Sequence, residues 1–383
     1  MEKVRLGIIG IGNMGSAHTK NLTEGLVPEM ELVAACDINP ARLDWMREKH
    51  PEVQCFATTD ELFAAHVCDA ILVATPHYDH PRLVIEGLQA GYHMMSEKPA
   101  GVYTKAVREM NEVAAKCDKK FGIMFNQRTA PMYRKMKELV ESGALGQIKR
   151  TNWIITDWYR GQDYYDSGAW RATWDGEGGG VLLNQCPHNL DLWQWICGMP
   201  CKVDAHLHFG KWHNIEVEDD VTAYVEYPNG ATGVFITSTA DAPGTNRFEI
   251  LGSKGKLVCE NGHLTFYKNE IDEREFCFSG VPGFSQLKCE VEEVPFDGWG
   301  EQHVGVLKAF AAQILRDEEP IAKGEEGING LTLSNAMHLS AWTGKPVTLP
   351  LDEDLYLEEL NKRRAASVKK EVEGKVMDTE GTY

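Results

Sequence analysis

The chain has 383 residues, more than one compact core usually holds and about right for two domains. Its content of 43% hydrophobic and 25% charged residues is that of a globular enzyme, and no apolar run approaches the ~20 residues of a membrane helix. A net charge of −18 argues against nucleic acid or an anionic membrane as a partner.

The opening Met1-Glu2-Lys3-Val4-Arg5 leads straight into a strand pattern and lacks the basic, apolar and small-residue segments of a signal peptide. The ten cysteines show no metal-site spacing. Cys197 and Cys201, the nearest neighbours, have three residues between them, while Cys36 and Cys259 sit in apolar runs. They read as reduced core residues of a cytoplasmic protein.

In chain order, Val4–Ile9 is a buried strand, Ser16–Glu24 a helix and Leu32–Cys36 a second strand. A helix over Arg42–Lys49, a strand near Val53–Phe56 and the strongly apolar Ala70–Ala74 follow. Then come a helix over Arg82–Ala90, a strand at His93–Ser96, a helix over Lys105–Lys116 and a strand at Gly122–Phe125. Continuous apolar strands separated by helices predict a parallel sheet covered on both faces, in a dinucleotide-binding domain over residues 1–126. Residues 127–383 differ. Alternating segments at Lys202–Phe209, Val221–Tyr227, Ala231–Ser238, Phe248–Leu251, Leu257–Cys259 and His263–Tyr267, with turn pairs Asn229-Gly230 and Asn261-Gly262, predict an antiparallel sheet. Helices over His303–Leu315 and Gly327–Trp342 and a polar arm of about twenty residues close the chain. The expected fold class is an α/β Rossmann domain followed by an α+β domain with a large, mostly antiparallel, open-faced sheet.

Gly10-Ile11-Gly12-Asn13-Met14-Gly15 is G-x-G-x-x-G between the first strand and the first helix, the context in which this pattern carries meaning. Glycine permits the tight turn, the approach of a pyrophosphate and close helix–strand packing, and the helix start supplies amide donors and positive potential. Asp37 ends the second strand, 22 residues after Gly15. A carboxylate there accepts ribose hydroxyls and repels a 2′-phosphate. Ile38-Asn39-Pro40 adds no cation, although Arg42 is near, so the expected cofactor is NAD.

Ala74-Thr75-Pro76-His77-Tyr78-Asp79-His80 follows the fourth strand, and Glu97-Lys98-Pro99 ends the next. With Gly178-Gly179-Gly180-Val181-Leu182-Leu183-Asn184-Gln185-Cys186-Pro187-His188-Asn189-Leu190-Asp191, these segments resemble the Gfo/Idh/MocA family of sugar and cyclitol oxidoreductases, whose signature is E-K-P. The resemblance covers nearly the whole chain. It implies that Thr75, Pro76, His80, Glu97, Lys98 and Gln127 line the cofactor, and that a cis peptide precedes Pro99.

Lys98, at the carboxyl edge of a parallel sheet, can stabilise an alkoxide-like oxygen during hydride transfer. The spacing predicts a helix over Asn184–Trp195 that projects Asn184, His188 and Asp191 from one face. His188 has the intrinsic pKa of a general base, and Asn184 and Asp191 can orient a hydroxyl. Many relatives carry an aspartate where Asn184 stands, and an amide cannot hold a proton, so the burden falls on His188. Seven of ten tryptophans lie between residues 153 and 212, which places the candidate sugar contacts there: Trp158, Tyr164, Trp170 and Arg171, with Arg128 facing the same crevice. Tyr165 is the neighbouring phenol. His206, His208 and His213 read as strand and turn histidines, not a metal set, and Glu301-Gln302-His303 as a helix start, not a site.

Three functions fit these residues. The first is NAD-dependent hydride transfer at a secondary carbinol carbon of a sugar, glycoside or cyclitol, with His188 as acid/base and Lys98 on the substrate oxygen. The second is glycoside cleavage by transient C3 oxidation with tightly bound NAD. The third is a regulator that senses NAD or sugar. Few helical segments are available to cover both faces of the second sheet, and the resemblance implies that another subunit's sheet covers one, in a homodimer or homotetramer built through residues of roughly 200–270.

Overall fold

The computed structural model describes residues 3–368 and 370. Strands β1 (Val4–Ile9), β2 (Met30–Cys36), β3 (Gln54–Phe56), β4 (Ala70–Val73), β5 (His93–Ser96) and β6 (Phe121–Ile123) form a parallel sheet in the order β3-β2-β1-β4-β5-β6. Every residue of β4 is buried, as expected of a strand with helices on both faces. Helices α1 (Asn13–Thr23), α2 (Pro40–Lys49), α3 (Thr59–Ala65), α4 (Asp79–Gln89) and α5 (Thr104–Ala114) make the crossovers. The Asn39 side chain caps α2 and the Thr58 hydroxyl caps α3. By contrast α1 begins at Gly12 with no side-chain cap.

The second sheet has nine strands in the order β14-β13-β12-β11-β7-β10-β9-β8-β15. They are β7 (Ile148–Ile155), β8 (Lys202–Phe209), β9 (Glu218–Glu226), β10 (Thr232–Ser238), β11 (Asn246–Gly252), β12 (Gly255–Glu260), β13 (His263–Asn269), β14 (Cys289–Glu293) and β15 (Val347–Thr348). All its described pairings are antiparallel except β10 on β7. The sequence reading missed β7. Its exposed Lys149 and Arg150 and half-buried Asn152 interrupt the apolar pattern, yet its inward Trp153 is buried and stacks on Phe248 with ring centroids 4.3 Å apart. The sheet's inner face packs on α6 (Pro131–Glu141), α8 (Pro187–Cys197) and α11 (Gly327–Thr343), while α7 (Gln162–Tyr165) and α9 (Glu273–Cys277) are short loop helices. The opposite face stays open, with Thr222 and Tyr224 exposed and Ile154, Val234 and Ile236 half-buried in register beside them.

Helix α10 (Gln302–Arg316) corrects the contiguous division at residue 126. Its Val306, Leu307 and Phe310 join Val4, Leu6 and Ile8 in one core, so it packs as part of the first domain although it follows the second sheet in sequence. Helix α12 (Glu353–Ala366) was read as no helix because it buries only Tyr356 and Leu360; Arg108–Glu353 and Lys105–Asp354 pairs tie it to α5. Most of the polar arm lies outside the described residues. All ten cysteines are free, and burial pushes the Cys36 and Cys259 thiols up to about 12, which keeps them protonated.

Candidate active site

The glycine turn sits at the carboxyl ends of β1 and β4. Gly10 has φ +92°, and a Cβ there would lie 2.7 Å from the Ala74 carbonyl oxygen; one at Gly15 would lie 1.9 Å from the Gly10 oxygen. Both positions exclude a side chain. At Gly12, by contrast, a Cβ would meet nothing within 4 Å, so this backbone faces open space beside the uncapped start of α1, where Asn13 and Met14 form the first turn. That is the cradle a pyrophosphate requires. Asp37 closes it: Oδ2 accepts from Ile11 N at 2.7 Å and Oδ1 from Asn39 N at 2.8 Å. Arg42 donates to Ile11 O and to Ser16 Oγ, so its guanidinium braces the turn from below.

His80 ties the two loops beside this cradle, with ring nitrogens 2.8 Å from Thr75 O and 2.7 Å from Pro99 O. The Lys98–Pro99 peptide is cis. Pro76 is exposed, whereas Thr75 Oγ1 is buried without a partner, a polar atom that a ligand could satisfy. Both oxygens of Glu97 are engaged within the protein. Oε1 meets His18 Nε2 at 2.6 Å, and Oε2 accepts from Lys98 N. Burial pushes this carboxyl up, but His18, His303 and Lys98 outweigh it and hold it at about 2. Glu97 thus braces the lysine from behind.

Lys98 Nζ donates to Asn184 O at 3.0 Å, joining the two domains. Burial lowers its pKa, Glu97 and Glu177 support its charge, and Arg171 and Arg160 oppose it. His188 lies in the first turn of α8 and is 3% exposed, and neither ring nitrogen has a hydrogen-bond partner. Burial, then the charges of Lys98 and His303, depress its pKa well below 6.5, so the ring is a neutral imidazole with both nitrogens uncommitted.

The helix does not reach Asn184. It starts at Pro187, as a proline at the first helical position dictates, since the residue before proline is disfavoured in helical conformation. Asn184 lies in the preceding turns, its amide donating to Tyr164 OH at 3.0 Å and to Glu177. Asp191 and Arg128 pair with each other. Arg128 Nε and Nη2 hold the two Asp191 oxygens at 2.7 and 2.6 Å, Nη1 meets Glu326, and both partners are buried. They cross-link α8 to the turn at Asn126–Thr129. Gln127 lies in that turn, half-buried.

Arg171 donates to Tyr164 OH at 2.7 Å and stacks over the Tyr164 and Trp170 rings; Trp170 in turn meets His77 edge-on. Trp158 Nε1 reaches Asn189. Tyr165 is buried with its hydroxyl on Thr239. His213 pairs with buried Asp219, while His206 and His208 are exposed on β8.

Three residues escaped the sequence reading. Glu177, 1% exposed, accepts from Ala172 N and Asn184 and lies 3.5 Å from Arg171, which returns a carboxylate to the place where Asn184 lacks one. Its position directly before the glycine run was the available signal. His18 faces Glu97 from α1. His303, taken as a plain helix start, lies edge-on to His18 at 5.5 Å, and burial beside Lys98 brings it down to about 4.

A family model described as "Oxidoreductase family, NAD-binding Rossmann fold" matches residues 4–125, and the "GFO/IDH/MocA C-terminal domain" matches residues 133–258. The chain is 27% identical to myo-inositol 2-dehydrogenase of Thermotoga maritima, over 90% of this chain and 98% of that protein. It is 25% identical to D-glucoside 3-dehydrogenase of Escherichia coli, over 90% and 97%. It is also similar to the WlbA dehydrogenase from Bordetella pertussis in complex with NADH and UDP-GlcNAcA, with TM-score 0.77 and 27% identity over 92% and 99% of the two chains. Two matching domain models, together with the glycine cradle and the Glu97-Lys98-Pro99 loop, make the chain an NAD-dependent oxidoreductase of the Gfo/Idh/MocA family.

Proposed function

We propose that this protein transfers a hydride between NAD and a secondary hydroxyl-bearing carbon of a sugar or cyclitol, with His188 as general acid/base and Lys98 at the reacting oxygen. The observation that carries this reading is the His188 ring, buried with both nitrogens unpartnered beside Lys98. The residues present fit NAD: the Gly12 backbone faces open space, α1 starts uncapped, and Asp37 stands at the end of β2. When bound, NAD supplies the hydride acceptor.

The protein's own groups handle the proton. In the oxidative direction the substrate C–H bond breaks and its electron pair leaves as hydride. The O–H bond breaks too, its proton passes to neutral His188, and a C=O bond forms. The Lys98 ammonium, with donors left after its bond to Asn184 O, stabilises the oxygen as charge grows on it. The Tyr164, Trp170 and Trp158 rings offer faces to the sugar's C–H groups. The half-apolar open sheet face supports assembly as a homodimer or homotetramer.

The test incubates purified protein and NAD with a panel of sugars, cyclitols and aryl glycosides, and follows reduced nicotinamide and released aglycone separately. Substrate-dependent NADH formation is expected. Aglycone release without net NADH would replace this reading with glycoside cleavage, and neither signal on any member of the panel would refute both.

A further inference from the structure

Arg160 stands apart from the ion pairs that surround it. Its backbone is held at both ends, N–H donating to Thr239 O at 2.9 Å and C=O lying 2.9 Å from His213 Nε2, whose other nitrogen is on buried Asp219. The side chain is therefore presented from a fixed point. Its guanidinium lies 5.3 Å from the centre of the Tyr164 ring and 5.7 Å from that of Trp158. Its side-chain hydrogen bond goes to the Tyr159 carbonyl, and among the described residues it forms no ion pair. Arg171 lies 4.4 Å from the centre of the same Tyr164 ring, so two guanidinium groups share one aromatic platform.

The neighbouring cations are each supported by a carboxylate. Among the described residues Glu97 and Glu177 support the charge of Lys98, and Glu177 lies 3.5 Å from Arg171, whereas Arg160 has no such carboxylate. A chain of net charge −18 nonetheless keeps a guanidinium without an ion pair, among the described residues, beside its candidate active site.

We propose that Arg160 is a specificity-determining residue that selects a substrate carrying a carboxylate, a uronic or aldonic acid, over a neutral sugar. The inference rests on the hydride-transfer reading above and names its substrate class. The planar guanidinium fork matches the two oxygens of a carboxylate, and the rings beneath it hold the fork in place. A guanidinium held without a counter-charge favours an anionic partner. Arg160 opposes the charge on Lys98 when the site holds no anion. An incoming carboxylate cancels that opposition and leaves Lys98 protonated for the reacting oxygen.

The test compares kcat/KM for paired substrates, glucose with glucuronate and galactose with galacturonate, plus a hexose phosphate, in wild type, Arg160→Gln and Arg160→Lys. NAD binding serves as the check on folding. The wild type should favour the acids at least tenfold, Arg160→Gln should reduce the acid-to-neutral ratio about tenfold to a hundredfold, mainly through KM, and Arg160→Lys should retain part of it. Neutral sugars used as well as acids, or a ratio untouched by Arg160→Gln, would overturn the carboxylate assignment and leave hydride transfer standing. Turnover of the phosphate alone would overturn it in favour of a phosphorylated substrate. Turnover of no sugar by NAD-bound protein would bring down the hydride-transfer reading and this inference together.

Discussion

Replacing His188 with Gln keeps most of the side-chain volume in a site that is 3% exposed and removes the only group there proposed to take a proton. Loss of a positioned general base typically costs 10²–10⁴-fold in rate, so turnover should fall at least about a hundredfold, roughly 2.7 kcal/mol of transition-state stabilisation. NAD affinity should survive, because the glycine cradle and Asp37 belong to the other domain. The pH profile adds a sharper requirement. In the ligand-free protein the His188 pKa is depressed by burial and by Lys98, so the neutral base persists at and below pH 6.5. The acid limb of wild-type kcat/KM must then lie below 6.5 and vanish in His188→Gln. The Lys98 pKa is also depressed, so an alkaline limb must lie below 10.5 and vanish in Lys98→Met. The assay is initial-rate NADH formation on an identified substrate across pH. An acid limb at or above 6.5 that depends on His188 would refute the electrostatic reasoning. Turnover within tenfold of wild type in His188→Gln would refute its role as base.

Three further outcomes follow from the geometry. Since Asp37 accepts from the glycine turn and Arg42 is spent on Ile11 and Ser16, NAD should bind at least about tenfold more tightly than NADP, and Asp37→Ala should narrow that gap in a binding titration. Asp191→Ala leaves the buried Arg128 guanidinium with Glu326 alone and should cost about 3 kcal/mol in denaturant unfolding, where a loss under 1 kcal/mol would contradict a structural pair. On the open sheet face, Ile236→Asp should shift an oligomer toward monomer in light scattering, and a wild type already monomeric at micromolar concentration would end the assembly reading.

Chain-local patterns determined the first domain. Apolar runs at Val4–Ile9 and Ala70–Val73, glycines at 10, 12 and 15 and the acid at 37 are each readable alone, because strand burial, turn chemistry and helix starts depend on neighbours a few residues away. The Glu97-Lys98-Pro99 and Gly178–His188 segments, read separately, meet in the fold through Lys98 Nζ on Asn184 O. The partners of each polar group were decided only by tertiary structure. Arg128 and Asp191 looked like substrate contacts because both bear charge near the crevice, yet they lie 63 residues apart and neutralise each other once folded. Glu177 and His303 looked incidental until packing brought the first to Asn184 and the second to His18. Helix α10 joined the first core across more than 170 residues, because the apolar face of the first sheet needed cover and sequence order does not say which helix supplies it. Sequence periodicity reports which side of an element is apolar, but a buried charge takes whatever counter-charge the fold delivers, and that pairing is a property of three dimensions.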